Sequence, residues 1–199
     1  MLLGLKSVVE HFRDVAWDVS VRIAMRGESG ADTYEAYVRA ANRLLGVPPD
    51  YSDRGIPFQR QCSNLVDLPC GVNGGYKLVD AGICQRFLSM KEAALEEGVT
   101  LSVKWAFRSV EDQARLIRAQ LRYGASMAEI LSRVAAPGYS EHHSGRAFDF
   151  ERIPSETLFE RTEAFKWLVE NAWRFDCVMS YPPNNGYGVI YEPWHWYFR

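Results

Sequence analysis

The stretch Ser140-Glu141-His142-His143-Ser144-Gly145-Arg146-Ala147-Phe148-Asp149 decides how this chain is read, together with Glu192-Pro193-Trp194-His195-Trp196 near the C-terminus. Between them they hold every histidine but His11. His142 and Asp149 have six residues between them, a spacing that suits a loop through Gly145 running into a strand over Arg146 to Phe150. His195 is expected from a distant strand that pairs nearby. A short-range pair plus one remote ligand builds an open tetrahedral site, and two imidazoles with one carboxylate suit borderline-soft zinc. Glu192 stands three residues before His195, and Pro193 between them excludes a regular central strand. The chain must kink there, which brings both side chains to one cavity. Three ligands, an open position for water and a nearby base are the parts of a catalytic zinc centre.

Each part alone is weak. A single histidine is more often a satisfied structural residue than a ligand, and Glu-Pro-Trp-His by itself also reads as aromatic core at a chain end. His143 is expected to point away from its neighbour, and His11 to lie at the surface or boundary of an amphipathic helix. A cysteine-nucleophile hydrolase built from Cys177 and His195 is the competing reading of the same histidine.

These segments resemble the zinc D-alanyl-D-alanine carboxypeptidases of the VanY/VanX type, part of a wider group that includes phage L-alanyl-D-glutamate endopeptidases and the hedgehog signalling domain. The family pattern Ser-x-His-x-x-Gly-x-Ala-x-Asp is matched by Ser140, His142, Gly145, Ala147 and Asp149, and Glu-Pro-Trp-His by Glu192 to His195. A third element, Arg-Ser followed by Gln after a strand, is matched by Arg108, Ser109 and Gln113. Three ordered elements over about residues 75–199 are far more specific than any one of them.

The resemblance implies one Zn2+ per chain held by His142, Asp149 and His195. It implies Glu192 as the general base and acid, and Arg108 as the group that stabilises the oxyanion or clamps a substrate carboxylate. Ser140 and Gln113 would hydrogen-bond the substrate. The implied substrates are peptidoglycan stem peptides, and the ending Glu-Pro-Trp-His favours removal of a C-terminal D-amino acid, by D,D- or L,D-carboxypeptidase action. An endopeptidase serving as a phage lysin or antibacterial effector, and a non-enzymatic zinc-containing binding module, are the alternatives. Two departures bear on specificity: Phe107 replaces the family's tyrosine before the arginine, and Ser180-Tyr181-Pro182 replaces Arg-Tyr-Pro.

The 199 residues fit one domain with a helical extension. A net charge of −2 gives no basic footprint for nucleic acid. No run of about 18 apolar residues is present to span a membrane. The segment Met1 to Leu5 is too short before Lys6 to read as a secretory h-region. Action in the periplasm or cell wall would then imply either that a signal has been removed from this sequence or that export takes another route, such as phage lysis or effector delivery. Cys62, Cys70, Cys84 and Cys177 match no zinc-ribbon spacing. Cys62 and Cys70 flank an irregular stretch that a disulfide would brace, while Cys84 and Cys177 read as buried thiols.

The expected class is α+β: a small, mainly antiparallel sheet carrying the zinc site, with helices outside and an N-terminal helical extension. Residues 1–50 form the extension, 51–76 an irregular loop, and 77–199 the peptidase core. Apolar residues from Leu5 to Ile23 recur with helical period and predict a helix over about 5–26, broken at Glu28-Ser29-Gly30. Asp32 with Glu35 resembles a capping box for a second helix to Leu45. That pair packs on the core, or forms a partner surface or lid. Further helices are expected from Asp80 to Glu97, Ser109 to Tyr123, Ser126 to Val134, and over 157–173 with Phe165, Leu168, Val169 and Trp173 inward. Strands are expected at Val99 to Trp105 and near 176–180 and 187–192. Trp194, Trp196, Tyr197 and Tyr187 are divided between cleft and core.

Overall fold

The computed structural model describes residues 2–25, 33–70 and 75–199, with side chains from residue 13 onward. The helix break at Glu28-Ser29-Gly30, Asp32 of the second capping box and the side chain of His11 lie outside the described residues.

Among the described residues, six α-helices and two antiparallel sheets follow in the order α1 (Leu2–Ala24), α2 (Thr33–Leu45), β1 (Leu65–Pro69), β2 (Tyr76–Asp80), α3 (Cys84–Glu96), β3 (Val103–Trp105), α4 (Val110–Arg122), α5 (Met127–Leu131), β4 (Ala147–Phe150), α6 (Glu163–Asn171), β5 (Cys177–Met179) and β6 (His195–Phe198). β1 and β2 form a hairpin, and the other four strands make a sheet in the order β3-β4-β6-β5. The expected α+β plan with helices outside a small antiparallel sheet is the one found.

Period-2 alternation divides the central strands between core and site. Phe148, Phe150, Trp196 and Phe198 are buried in the main core, with Phe87 of α3 stacked on Phe148 at 4.6 Å between centroids. The intervening residues Asp149 and His195 face the other way and are paired across the strands. Core packing on one face therefore fixes the register that brings two polar side chains together on the other.

Helix starts follow their caps. Ser109 Oγ accepts from Asp112 N–H to open α4, and Ser126 with Glu129 makes a full capping box for α5. Asp80 accepts from the Gly82 N–H and opens a short 3-10 turn that leads into α3.

Several expectations give way. The stretch expected as irregular loop contains β1, and its hairpin partner β2 begins at Tyr76. The rest of the stretch is braced by backbone rather than by sulfur: the N–H groups of Gln59 and Cys62 donate to Gly138 O (2.7 Å) and His143 O (2.8 Å). All four cysteines are free thiols, so of the two states left open for Cys62 and Cys70 the unbridged one is found. Residues 187–192 are not a strand. Gly186 and Gly188 have positive φ (81° and 69°), and Ile190 N–H bonds Ser132 O at 2.8 Å, tying the segment to the end of α5 instead of to a sheet. The helix expected over 157–173 is shorter, and Trp167 rather than Val169 and Trp173 turns inward. α5 likewise ends at Leu131.

In α1 the Val15-Val19-Ile23 stripe faces outward, while Val21 is fully buried and Trp17 packs beside it against Ala40 and Ala41 of α2. Asp14 pairs with Arg115 and Arg118 of α4, and Arg118 lies 4.6 Å above the Trp17 ring. Gly138 has φ +82°, and a Cβ there would meet Val38 at 2.5 Å, so α2 presses directly on the turn that leads into the Glu141–Ser144 segment.

Candidate active site

Two loops and two strands build the site. The segment Glu141–Ser144 forms a 3-10 turn ended by Gly145 at φ +69°. A Cβ on Gly145 would come within 2.7 Å of the Asp80 nitrogen, whose N–H donates to Gly145 O at 3.0 Å. Only glycine lets this loop lie against the β2 end at that distance. The turn leaves His142 almost wholly buried beside Asp149 of β4. The Pro193-Trp194 turn, closed by His195 N–H on Glu192 O (3.0 Å), returns His195 and Glu192 to the same place.

One ligand atom each from His142, Asp149 and His195 lie within 4.8 Å of one another. His142 Nδ1 lies 2.5 Å from Ala106 O and therefore donates, which leaves the Nε2 lone pair facing Asp149 Oδ2 at 3.3 Å. His195 Nε2 lies 2.8 Å from Glu141 Oε2, and Nδ1 lies 2.9 Å from Asp149 Oδ1. Each imidazole is held through one nitrogen and offers the other to a common point. That arrangement suits a divalent ion and fits the N, N, O donor set of zinc.

Glu141 is the residue that sequence reasoning missed. It occupied a variable position of the motif, although a carboxylate beside a ligating histidine is the usual partner for the imidazole's second nitrogen. Burial would raise its pKa, yet its contacts with His195 and Ser180 outweigh that and hold it below the ordinary value. Asp149 behaves alike: despite burial, His142 and His195 keep it far below the carboxylate range. Burial pushes His142 down, whereas in His195 the desolvation is outweighed by Asp149 and Glu141, which raise it to about 10. Glu192 makes no such contact. Burial first, and the nearby Asp149 and Glu141 charges, raise it to about 7 against the pull of His195 and Arg108.

Arg108 follows β3 and is fixed at three points. Its N–H donates to His142 O (3.1 Å), its carbonyl accepts from His143 Nδ1 (2.7 Å), and its guanidinium donates to Gln113 Oε1 at 3.1 Å. Gln113 is fully buried and in turn donates to Ala135 O at 2.6 Å. Burial lowers the Arg108 pKa, but a guanidinium remains charged. His143 points away from the other two imidazoles, as expected, and its Nε2 accepts from the Gly138 N–H at 3.2 Å.

Arg108, Gln113, Ser140, His142, Asp149, Glu192 and His195 all line one cavity of about 500 Å³. All seven residues singled out from the sequence thus meet in one place. Trp105 joins them because a register shift between Val103 and Trp105 turns it out of the core, to 53% exposure. Of the four aromatic residues left divided, Trp194 lines the cavity, Trp196 is core, and Tyr187 and Tyr197 border a separate hollow. Cys177 is buried in the core opposite Phe198, where desolvation pushes its thiol far above the ordinary range. It cannot serve as a thiolate nucleophile for His195.

A family model described as VanY, D-alanyl-D-alanine carboxypeptidase, matches residues 76–199. The chain belongs to this family. A D-alanyl-D-alanine carboxypeptidase of Enterococcus faecium is 33% identical over 131 residues, covering 61% of this chain and 39% of that protein. The chain spans less than half the length of the curated relatives it matches. Among solved structures, VanYB in complex with D-alanine-D-alanine has a TM-score of 0.58 at 30% identity, over 72% of this chain and 80% of its own. A vancomycin resistance D,D-pentapeptidase VanY variant in complex with Zn(II) has a TM-score of 0.56 at 28% identity, over 72% and 82%.

Proposed function

We propose that this VanY-family chain is a zinc-dependent peptidase that removes a C-terminal D-amino acid from peptidoglycan stem peptides. The observation that carries the reading is the convergence of His142, Asp149 and His195 in a cavity that also holds Glu192 and Arg108. The Zn(II) bound by the VanY relative and the D-alanine-D-alanine bound by VanYB support it.

Bound zinc would supply Lewis-acid polarisation of the scissile carbonyl and a water of lowered pKa. His142, Asp149 and His195 would hold it, with Ala106 O and Glu141 fixing the imidazole tautomers. Glu192, raised to about 7, is matched to taking a proton from the attacking water near neutral pH and returning it to the departing amine. Arg108 places a fixed cation in the cavity for the carbonyl oxygen's developing charge or for the terminal carboxylate, and Gln113 holds its fork in orientation. Ser140, 4% exposed and lining the same cavity, adds a hydroxyl for the substrate backbone.

The place of action would be the cell wall or periplasm. No described helix is long and apolar enough to cross a membrane. The test is to incubate the protein with defined stem peptides, with and without chelator, and to weigh the products. Loss of one terminal residue, abolished by chelator and restored by zinc, is the expected result. Separated cross-links or released stems would establish an endopeptidase instead, and intact peptides throughout would refute the peptidase reading.

A further inference from the structure

Beside the cavity that holds His142, Asp149 and His195 lies a separate hollow of about 280 Å³, room for several waters at roughly 30 Å³ each. Glu141 and Tyr181 line both spaces and so form the wall between them, whereas Ser180, Tyr187, Tyr197 and Arg199 line only the hollow.

That wall carries a carboxylate with acceptor capacity to spare. Among the described residues, Glu141 forms an ion pair only with His195, through Oε2 and Nε2 at 2.8 Å, and its remaining side-chain hydrogen bond is to Ser180. An ionised carboxylate offers about four acceptor sites, and these two contacts leave half of them unused. Arg199 is the one cation lining the hollow, yet it is exposed and makes no ion pair with Glu141. The family's Arg-Tyr-Pro stands here as Ser180-Tyr181-Pro182. A short hydroxyl therefore occupies the position of a long cationic side chain, next to the carboxylate that such a cation would meet. This exchange accounts both for the open space and for the missing charge.

The aromatic walls favour the same sign. The Tyr181 ring lies 5.1 Å from the His195 ring and 6.2 Å from that of Tyr187, and the two phenol rings meet at 87°. Ring faces are electronegative, so a corner of two rings next to a carboxylate attracts a flat or compact cation. An anion would be repelled by Glu141, and an apolar group would strip water from its oxygens without replacing the hydrogen bonds.

We propose that this hollow binds a compact organic cation, the guanidinium or primary ammonium end of a small molecule, against Glu141, Ser180 and the corner made by Tyr181 and Tyr187. The site lies outside the catalytic cavity and does not rest on the peptidase reading. Its occupant meets the metal centre only through the carboxylate that holds His195 Nε2.

The probes are methylguanidinium and its neutral isostere methylurea, titrated calorimetrically at millimolar concentration into zinc-treated protein. Methylguanidinium is expected to bind about tenfold more tightly, the margin of one charge-assisted contact. Ser180→Arg, which supplies the cation from within the chain, is expected to erase that margin. Tyr187→Leu, a milder change in the same hollow, should weaken methylguanidinium about threefold and leave methylurea unmoved. Neither residue lines the catalytic cavity, and circular dichroism should show which variants are folded. A crystal soaked in methylguanidinium should hold it within hydrogen-bond distance of Glu141 and Ser180. Equal affinities for the two probes, the full margin surviving in either folded variant, or the cation found only among Asp149, Glu192 and Arg108 would overturn the assignment. A protein that shows the margin but cleaves no stem peptide would refute the peptidase reading alone and leave this site standing.

Discussion

Glu192→Gln is expected to abolish turnover and, in the metal-free protein, to raise stability. Burial lifts the Glu192 carboxyl from its ordinary 4.5 to about 7, so the folded state disfavours its charged form. The sign follows from proton counts. Between these two values the folded chain binds more protons than the unfolded one, so stability falls as pH rises through that window. The cost is absent well below pH 4.5, incomplete at pH 5 and fully present above pH 7. At 1.36 kcal/mol per pH unit the gap corresponds to about 3 kcal/mol at pH 8 and under about 1 kcal/mol at pH 5. Glutamine has the same shape and no charge to desolvate. Urea melts of chelator-treated protein at both pH values, followed by circular dichroism, should therefore show Glu192→Gln more stable at pH 8 and nearly level with the parent at pH 5. At roughly 2–4 °C per kcal/mol for a chain of this length, the pH 8 gain is about 6–12 °C in Tm. With zinc restored, the same variant should lose on the order of 10²–10⁴ in kcat. Equal stability at pH 8, or a gain of the same size at both pH values, would refute the claim that Glu192 is a buried carboxylate held for function at the expense of the fold.

Three further outcomes follow from other contacts. Glu141→Ala frees the second nitrogen of His195 and is expected to weaken zinc binding roughly 10–100-fold in competition with a chromophoric chelator; unchanged affinity would remove Glu141 from the site's support. Burial pushes His143 down to about 4, so the unfolded chain takes up its proton first and stability falls as pH drops from about 6.5 to about 4. His143→Gln should flatten that acid slope by up to about 3 kcal/mol while zinc stoichiometry stays at one per chain, and an unaltered slope would contradict the neutral imidazole bridging Arg108 and Gly138. Gly145→Ala forces a Cβ against the Asp80 nitrogen at positive φ, for an expected loss of about 2 kcal/mol or more in urea melts together with weaker zinc binding. A variant indistinguishable in both would show that the loop has room there.

The site was more legible than the frame around it, for a physical reason. Metal and proton chemistry admits few residue types at few spacings, so His142, Asp149, Glu192 and His195 stood out from a single chain. The hairpin strand at Leu65–Pro69 did not, because its neighbours are rich in turn-forming residues and its own pattern is only partly buried. Residues 187–192 carry apolar alternation, yet two glycines at positive φ and a bond to Ser132 take them away from the sheet. The outward Val15-Val19-Ile23 stripe shows the same limit on a helix: periodicity marks a face, and here Asp14, Trp17 and Val21 meet the neighbouring helices instead. Glu141 was hidden differently. Its position looks like a spacer until the strand geometry turns His195 Nε2 toward it.

That placement explains why three carboxylates around one small cavity differ in the direction of their pKa shifts. Asp149 and Glu141 each face an imidazole nitrogen of His195 at 2.9 and 2.8 Å, and the contacts outweigh their burial, so both stay anionic. Glu192 reaches the cavity from the far side of the Pro193-Trp194 turn, with its own backbone engaged to Tyr181 and His195 but no imidazole for its carboxylate. Desolvation then outweighs the pull of the His195 and Arg108 charges, and the proton remains until near neutrality. Titratable groups driven apart by their surroundings are the mark of divided acid–base labour. Here the division is set by whether a carboxylate meets a nitrogen of the His195 ring, as Asp149 and Glu141 do, or none, as with Glu192. The four-residue segment ending at His195 therefore holds an imidazole and a carboxyl that are close in sequence but opposite in the direction of their pKa compensation by partners.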